Sequence, residues 1–278
     1  MTARIDHVVI YVGQQLDGAA EQYRRLGFTL TQRGHHSLGS SNHLAVFGSD
    51  YLELLGVEPQ NGARFQYAYP TGLSGLVFKT TDSAALWADL SARGVPLEGT
   101  EPRAFFRPVE LPDGQVQDAH FRTVRVSPEE IPNGRVFFCH HLTPQLVWRP
   151  EWQDHANGAA AIVEYAYVTP DPQRSAQILE RVFPGAGVRH EADASFFETD
   201  AAEVIYLKRE ALAARYGIPA DSLPPESERA VALTLRIRSL EQTRRVLQQN
   251  GVEGVVEAGR RLVVPPASAA GVVLAFEE

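Results

Sequence analysis

An apolar run over residues 6–12 (DHVVIYV) has the length and bulk of a buried strand. Apolar positions then shift to helical spacing at Leu16, Ala19, Ala20, Tyr23 and Leu26, with Gly27 as the stop. Three short apolar segments follow, at 28–31, 43–47 and 51–57, the last two separated by the turn residues Gly48, Ser49 and Asp50. The pattern predicts a βαβββ unit. It recurs from 76–80 (LVFKT), where Asp82 is placed to cap a helix that runs through Leu86 and Leu90 to Gly94, with strands expected near 104–111, 120–126 and 136–142. A third unit starts at 162–168, with a helix from Asp171 to Phe183 and strands at 195–198 and 204–208. A fourth starts at 231–237, with a helix over 239–250 and strands at 262–264 and 272–276.

Spacing supports the repeat. Aligning the first strands on their helix starts pairs His7, Gly75, Glu164 and Ala232, at successive separations of 68, 89 and 68 residues. Equal outer steps around a longer middle one read as two duplicated halves and a connection. The predicted fold is α+β: four βαβββ modules arranged as two paired half-barrels. The expected division is 1–142 as the first module pair, 143–159 as a linker rich in Pro, Trp and polar residues, and 160–278 as the second pair. Within the second pair, 210–228 is expected to form one short helix and a Pro-rich loop.

Composition narrows the function classes. A formal net charge of −8 offers no general attraction for phosphate backbones or anionic lipid, so neither nucleic acid nor membrane is an expected partner. No apolar stretch approaches the ~20 residues that span a bilayer, and the opening residues carry charge rather than an apolar leader core, so a cytoplasmic protein is expected. The single cysteine, Cys139, excludes an internal disulfide and a multi-cysteine zinc site. Adjacent strand residues face opposite sides, so Cys139 and His140 are not a nucleophile–base pair. No phosphate-cradling loop or nucleophile elbow is present, and Gly185-Ala186-Gly187 reads as a helix stop and turn.

One residue breaks the apolar pattern. Glu53 sits inside Tyr51-Leu52-Glu53-Leu54-Leu55, where a carboxylate is costly unless a cation meets it. An ion pair with Arg64, Arg103, Arg107 or His43 is one resolution, and a metal ion is another. Four βαβββ modules in two pairs resemble the vicinal oxygen chelate superfamily, the group of glyoxalase I and the extradiol dioxygenases. The stretches DHVVIYV, GSSNHL before FGSDYLELLGV, and HHLTPQLVWRPEWQDHANGA further resemble its glyoxalase-like domain branch. The match covers roughly residues 5–159; the second half matches by module pattern alone. Gly-Ser-Ser stands where relatives often carry Gly-Thr-Ala, and Gln145 where a glutamate is common.

The resemblance implies a divalent metal inside the first half-barrel, held from the first and last strands of each module. Carried over, these positions are His7 and Gly75 on the first strands, with Glu53 and either His141 or His140 on the last. Only one of that last pair can face inward, and His141 lies in the matching stretch His-Leu-Thr-Pro. The expected ligands are therefore His7, Glu53 and His141, with Gly75 contributing none. That set suits Zn, Fe, Ni or Mn without choosing between them. His43, in the Asn-His pair, is the candidate for a substrate-orienting or acid/base role, or else makes a structural hydrogen bond to the 35–41 loop. In the second half the same positions carry Glu164, Ala232, Tyr206 and Ala275, which make no site, so that half reads as a degenerate duplicate. The implied activity is lyase, isomerase or dioxygenase chemistry on a small metal-chelating substrate. The alternative is a metal-free protein that sequesters a small molecule among Phe47, Phe78, Phe105, Phe106 and Phe138. A homodimer is left open.

Overall fold

The computed structural model describes residues 2–58, 69–111, 113–224 and 228–278. The first module is β1 (Ile5–Gly13), α1 (Leu16–Arg25), β2 (Gly34–His35), β3 (Ser40–Val46) and β4 (Tyr51–Val57). The second is β5 (Gly72–Lys79), α2 (Ser83–Ala92), β6 (Arg103–Glu110), β7 (Val116–Arg125) and β8 (Arg135–His141). The third runs through β9 (Ala159–Val168), α3 (Pro172–Val182), β10 (Val188–His190), β11 (Ala194–Glu198) and β12 (Glu203–Leu207), with α4 (Arg209–Tyr216) appended. The fourth is β13 (Arg229–Ile237), α5 (Leu240–Gln249), β14 (Val256–Ala258), β15 (Arg261–Val264) and β16 (Val273–Glu277). The sheets are eight-stranded and of identical topology, β2-β3-β4-β1-β5-β8-β7-β6 and β10-β11-β12-β9-β13-β16-β15-β14. Helix starts are fixed locally: the side chains of Asp82, Asp171 and Ser239 accept from backbone N–H groups of the first turns of α2, α3 and α5.

Strand register carries the internal symmetry. Where β1 meets β5, His7 pairs with Val77 and Val9 with Gly75, so a local twofold relates His7 to Gly75. Where β9 meets β13, Glu164 pairs with Thr234 and Ala166 with Ala232, which relates Glu164 to Ala232. The first-strand alignment read from spacing is thereby the alignment of the fold. The last strands differ from expectation. Val9 faces Glu53 across β1–β4 and Val77 faces Phe137 across β5–β8, so the twofold mate of Glu53 is Phe137, four residues before His141. In the second half that position holds Ile205, rather than Tyr206, and Ala275.

One apolar core joins the halves. Phe78 on β5 meets Phe183 after α3 at 4.7 Å, and Phe28 meets Phe276 on β16 at 6.2 Å. Phe47, Phe78 and Phe138 belong to this core, and Phe106 is 40% exposed. Of the five phenylalanines expected around a cavity, Phe105 lines the one inside the first half-barrel. Residues 28–31 do not form a strand, because side chains take up their backbone groups. Thr29 N–H donates to His155 Nδ1, Thr31 O accepts from His43 Nδ1, and the Thr31 hydroxyl accepts from Leu44 N–H. The linker's His155 donates its other nitrogen to Val46 O, and Trp148 and Trp152 pack against the inner face of the first sheet. Among the described residues, no helix is long and apolar enough to cross a membrane.

In the second half the inner face is filled from within. Leu212 and Tyr216 of α4, with Leu223 beyond it, pack among Ala166, Ile205, Ala232 and Ala275.

Candidate active site

Alternation along β1 points His7 and Val9 into the first half-barrel and Val8 and Ile10 into the shared core. The ladder skips Asp6: Ile5 pairs with Phe78 and His7 with Val77. This bulge lets the fully buried Asp6 carboxylate reach the inner side. There Asp6 Oδ1 accepts from His7 Nδ1 at 2.7 Å and from His141 Nε2 at 2.8 Å. Burial alone would raise the Asp6 pKa, but the two imidazoles, His141 foremost, outweigh it and hold the carboxyl well below its usual range.

With Nδ1 held by Asp6, His7 presents Nε2 to Glu53 Oε2 at 3.8 Å, and its ring stacks on Tyr51 at 4.3 Å. Glu53 is oriented in turn. Its Oε1 accepts from Asn42 Nδ2 at 2.6 Å, and Asn42 Oδ1 accepts from Arg107 Nη1 at 3.0 Å. His36 lies 3.8 Å from Glu53 Oε1, with Nδ1 against the Ser40 hydroxyl at 2.8 Å. Burial pushes the His36 pKa down to about 4, so it is a neutral imidazole here. Gly34 makes this packing possible. A Cβ there would fall 2.5 Å from Arg107 Cδ and 2.7 Å from Asn42 Oδ1.

These side chains line one cavity with about 650 Å³ of empty space, its mouth included. Phe105, Phe121, Phe137 and Tyr51 form its apolar wall; Arg107, Arg125, Arg135 and Glu53 supply the charges.

The expected ligand trio does not converge. His7 and Glu53 face each other, whereas His141 is absent from the cavity lining and spends Nε2 on Asp6. Of the two neighbouring histidines, His141 does take the inner face, beside Phe121 and Trp148, while His140 turns to Ser83 at the start of α2. His43 also departs from expectation. Leu44 pairs opposite Glu53, so alternation sends His43 to the opposite face, where it holds Thr31 O; its neighbour Asn42 reaches the site instead. Burial lowers the His43 pKa. Arg107 is the expected cation that reaches this group, through Asn42, and Arg64 lies outside the described residues.

Two groups could hold an ion. The 3.8 Å between His7 Nε2 and Glu53 Oε2 is too long for a hydrogen bond, and it is a spacing open to donors that each lie about 2.0–2.2 Å from one ion. The pair fits a divalent ion, with Asp6 behind His7 in the supporting role that ligating imidazoles usually have. Among the described residues, the one group of three or more candidate donors whose ligand atoms lie within 4.8 Å of one another is Asp6, Cys139 and His141. It is poorly disposed toward a cation. Burial pushes the Cys139 thiol pKa up, Asp6 Oδ1 already accepts twice, and Lys79 Nζ stands 3.7 Å from Asp6 Oδ2.

The sequence reading misses Asp6, Asn42 and His36 as site residues, and it offers Arg107 only as one possible ion-pair partner of Glu53. The Asp-His pair inside an apolar strand was the available signal for Asp6.

Comparison places this geometry among known folds. A hypothetical protein from Staphylococcus aureus superposes with a TM-score of 0.65 at 13% identity, covering 99% of both chains. A triple mutant of 4-hydroxymandelate synthase from Streptomyces coelicolor superposes with a TM-score of 0.57 at 12% identity, covering 99% of this chain and 92% of its own. At these identities the likeness is one of fold. No curated protein sequence matches the chain. The family model described as a glyoxalase-like domain matches residues 5–183. With more than half its length in that match, the chain belongs to the glyoxalase-like domain family.

Proposed function

We propose that this chain is an enzyme that acts on a small molecule in the first half-barrel, with His7 and Glu53 holding a divalent ion at the cavity floor. The observation that carries this reading is the 3.8 Å approach of His7 Nε2 to Glu53 Oε2, with His7 fixed through Nδ1 by Asp6. With these two protein donors, an ion would have room for adjacent oxygens of a chelating substrate. When bound, such an ion supplies Lewis-acid polarisation of a carbonyl or enolate oxygen. The chain's own residues do the rest. Asn42 and Arg107 set the Glu53 carboxylate in place, Tyr51 holds the His7 ring by stacking, and the phenylalanines give the cavity an apolar side. Whether the outcome is lyase, isomerase or dioxygenase chemistry depends on the substrate.

The test is calorimetric titration of chelator-stripped protein with Mn²⁺ and Zn²⁺, in parallel with His7→Ala, Glu53→Gln and Cys139→Ala. One ion per chain is expected in the parent and in Cys139→Ala, and none in the other two. Absence of uptake by the parent overturns the proposal, and loss confined to Cys139→Ala moves the ion to the Asp6 group.

A second reading, a metal-free small-molecule binder, is favoured by the two symmetry-related positions that lack donors. Phe137 occupies the twofold mate of Glu53, and the space beside Gly75 is taken by Val9, whose Cβ would lie 2.8 Å from an added side chain. Thermal stabilisation by apolar ligands alone, unaffected by divalent ions or chelator, supports the binder.

A further inference from the structure

We infer that the first half-barrel recognises a monocarboxylate with an apolar, planar body, and that Arg107 is its counterion. Arg107 is 3% exposed, yet it is among the residues that line the cavity. Nη1 donates to Asn42 Oδ1, while Nε is buried and makes no hydrogen bond among the described residues. A buried guanidinium remains charged and carries five donors in a planar fork, the shape that meets a carboxylate through two parallel bonds. Leaving a donor of such a group unmet is costly, and native interiors seldom do so without a function.

The charged residues of the lining are Arg107, Arg125, Arg135 and Glu53, with Arg125 paired to Glu98 at 3.8 Å. The walls set the body of the ligand. Phe105 and Phe121 are stacked 4.9 Å apart with 16° between their planes, and Phe137 stands edge-on to His7 at 5.8 Å. Flat apolar faces beside a cationic fork fit an aromatic or similarly flat acid. Gly34, by leaving room for the Arg107 stem, is a positioning residue for this fork.

The inference deepens the proposed function by naming a substrate class. It shares that reading's cavity without requiring its ion. The test is calorimetric titration of the full-length, chelator-stripped protein with benzoate, benzamide and acetate, repeated with benzoate on Arg107→Gln. Benzoate is expected to bind, with benzamide and acetate each at least about 10-fold weaker, and with a similar loss in the folded variant. Should Arg107→Gln fail to fold, benzoate against benzamide on the parent protein decides. The inference is overturned if benzoate does not bind, if benzamide or acetate binds equally well, if a folded Arg107→Gln binds benzoate undiminished, or if binding appears only after a divalent ion is added. Failure here leaves ion uptake by His7 and Glu53 as the separate readout of the proposed function.

Discussion

Glu164 stands in the second half where His7 stands in the first, and its surroundings lock it rather than free it. The carboxylate is met by Arg215 and Tyr216 of α4, by Arg261 through Nη1 and Nη2 at 3.2 Å, and by Thr234 Oγ1 at 3.3 Å. Glu164 thus ties α4 to the inner face of its own half-barrel, which is why this half presents a filled interior instead of a cavity like that around His7. Replacing it by Gln leaves the half-buried Arg215 without its anion and Arg261 with Glu277 alone. We expect Glu164→Gln to cost about 3 kcal/mol or more by urea unfolding at pH 7, and to speed hydrogen exchange across residues 212–216. Burial raises the Glu164 pKa, but Arg215, Arg261 and Tyr216 bring it below the usual value. The contribution is therefore present above the ordinary carboxylate pKa and lost as pH falls through the lowered one. The gap between variant and parent should narrow in acid; a pH-independent gap would mean the carboxylate charge is not the cause.

Asp6 tests the first half's support for its histidine. Asp6→Asn keeps the shape but replaces one acceptor oxygen's charge, so His7 loses the partner that fixes its Nδ1–H tautomer and its orientation. Ion affinity at His7 and Glu53 should fall about 10–100-fold, read by Mn²⁺ titration, with His7 and Glu53 both intact. An unchanged affinity would show that Asp6 serves the fold alone, through its bond to His141.

Asp50 should set a pH dependence of stability. It lies between β3 and β4, buried, and its Oδ1 accepts from Ile162 N–H of β9 at 3.0 Å. Burial raises its pKa to about 7. The folded state therefore prefers the neutral acid. The associated stabilisation is full below the unfolded-state pKa of about 4 and is lost as pH rises through about 7. Asp50→Asn keeps the acceptor and cannot ionise. It should be more stable than the parent at pH 8, by an amount on the order of a few kcal/mol, with no such gain at pH 4. Melting curves across that range decide it; equal curves would place a charged Asp50 at no cost.

The repeat was legible because each module's helix has its own spacing and stop, and the 68-residue steps returned the same His7–Gly75 and Glu164–Ala232 equivalences that strand pairing shows. Side-chain facing was less so. Whether Asn42 or His43 shares a face with Glu53 depends on the hairpin register, and Val46 pairing with Tyr51 leaves four residues in the turn. One residue more or fewer would exchange the two. Asp6 reaches the site only through a bulge, a backbone irregularity that apolar patterning does not encode. Arg107 sits on β6, whose alternation looks like that of an edge strand, and its burial follows from a glycine 73 positions earlier in the chain. The destination of the 210–228 insert was equally hidden, since nothing in α4 itself names the half-barrel it fills.

Gly75 is where sequence symmetry invites an engineered ligand, and the packing argues against it. Strand β5 brings Gly75 opposite Val9, and any Cβ would sit 2.8 Å from both Val9 Cβ and Cγ2. Gly75→His in the parent chain should therefore overpack the strand pair, lowering stability by about 1–3 kcal/mol without strengthening ion binding at His7 and Glu53. Removing the obstacle changes the expectation. Val9→Gly together with Gly75→His removes both contacts and opens the space a third imidazole would need on the inner face, at the twofold mate of His7. The double variant should bind Mn²⁺ or Zn²⁺ at least about 10-fold more tightly than the parent. Tighter binding by Gly75→His alone would show that Val9 yields readily. No gain in the double variant would place the ion-binding point away from the His7–Gly75 axis.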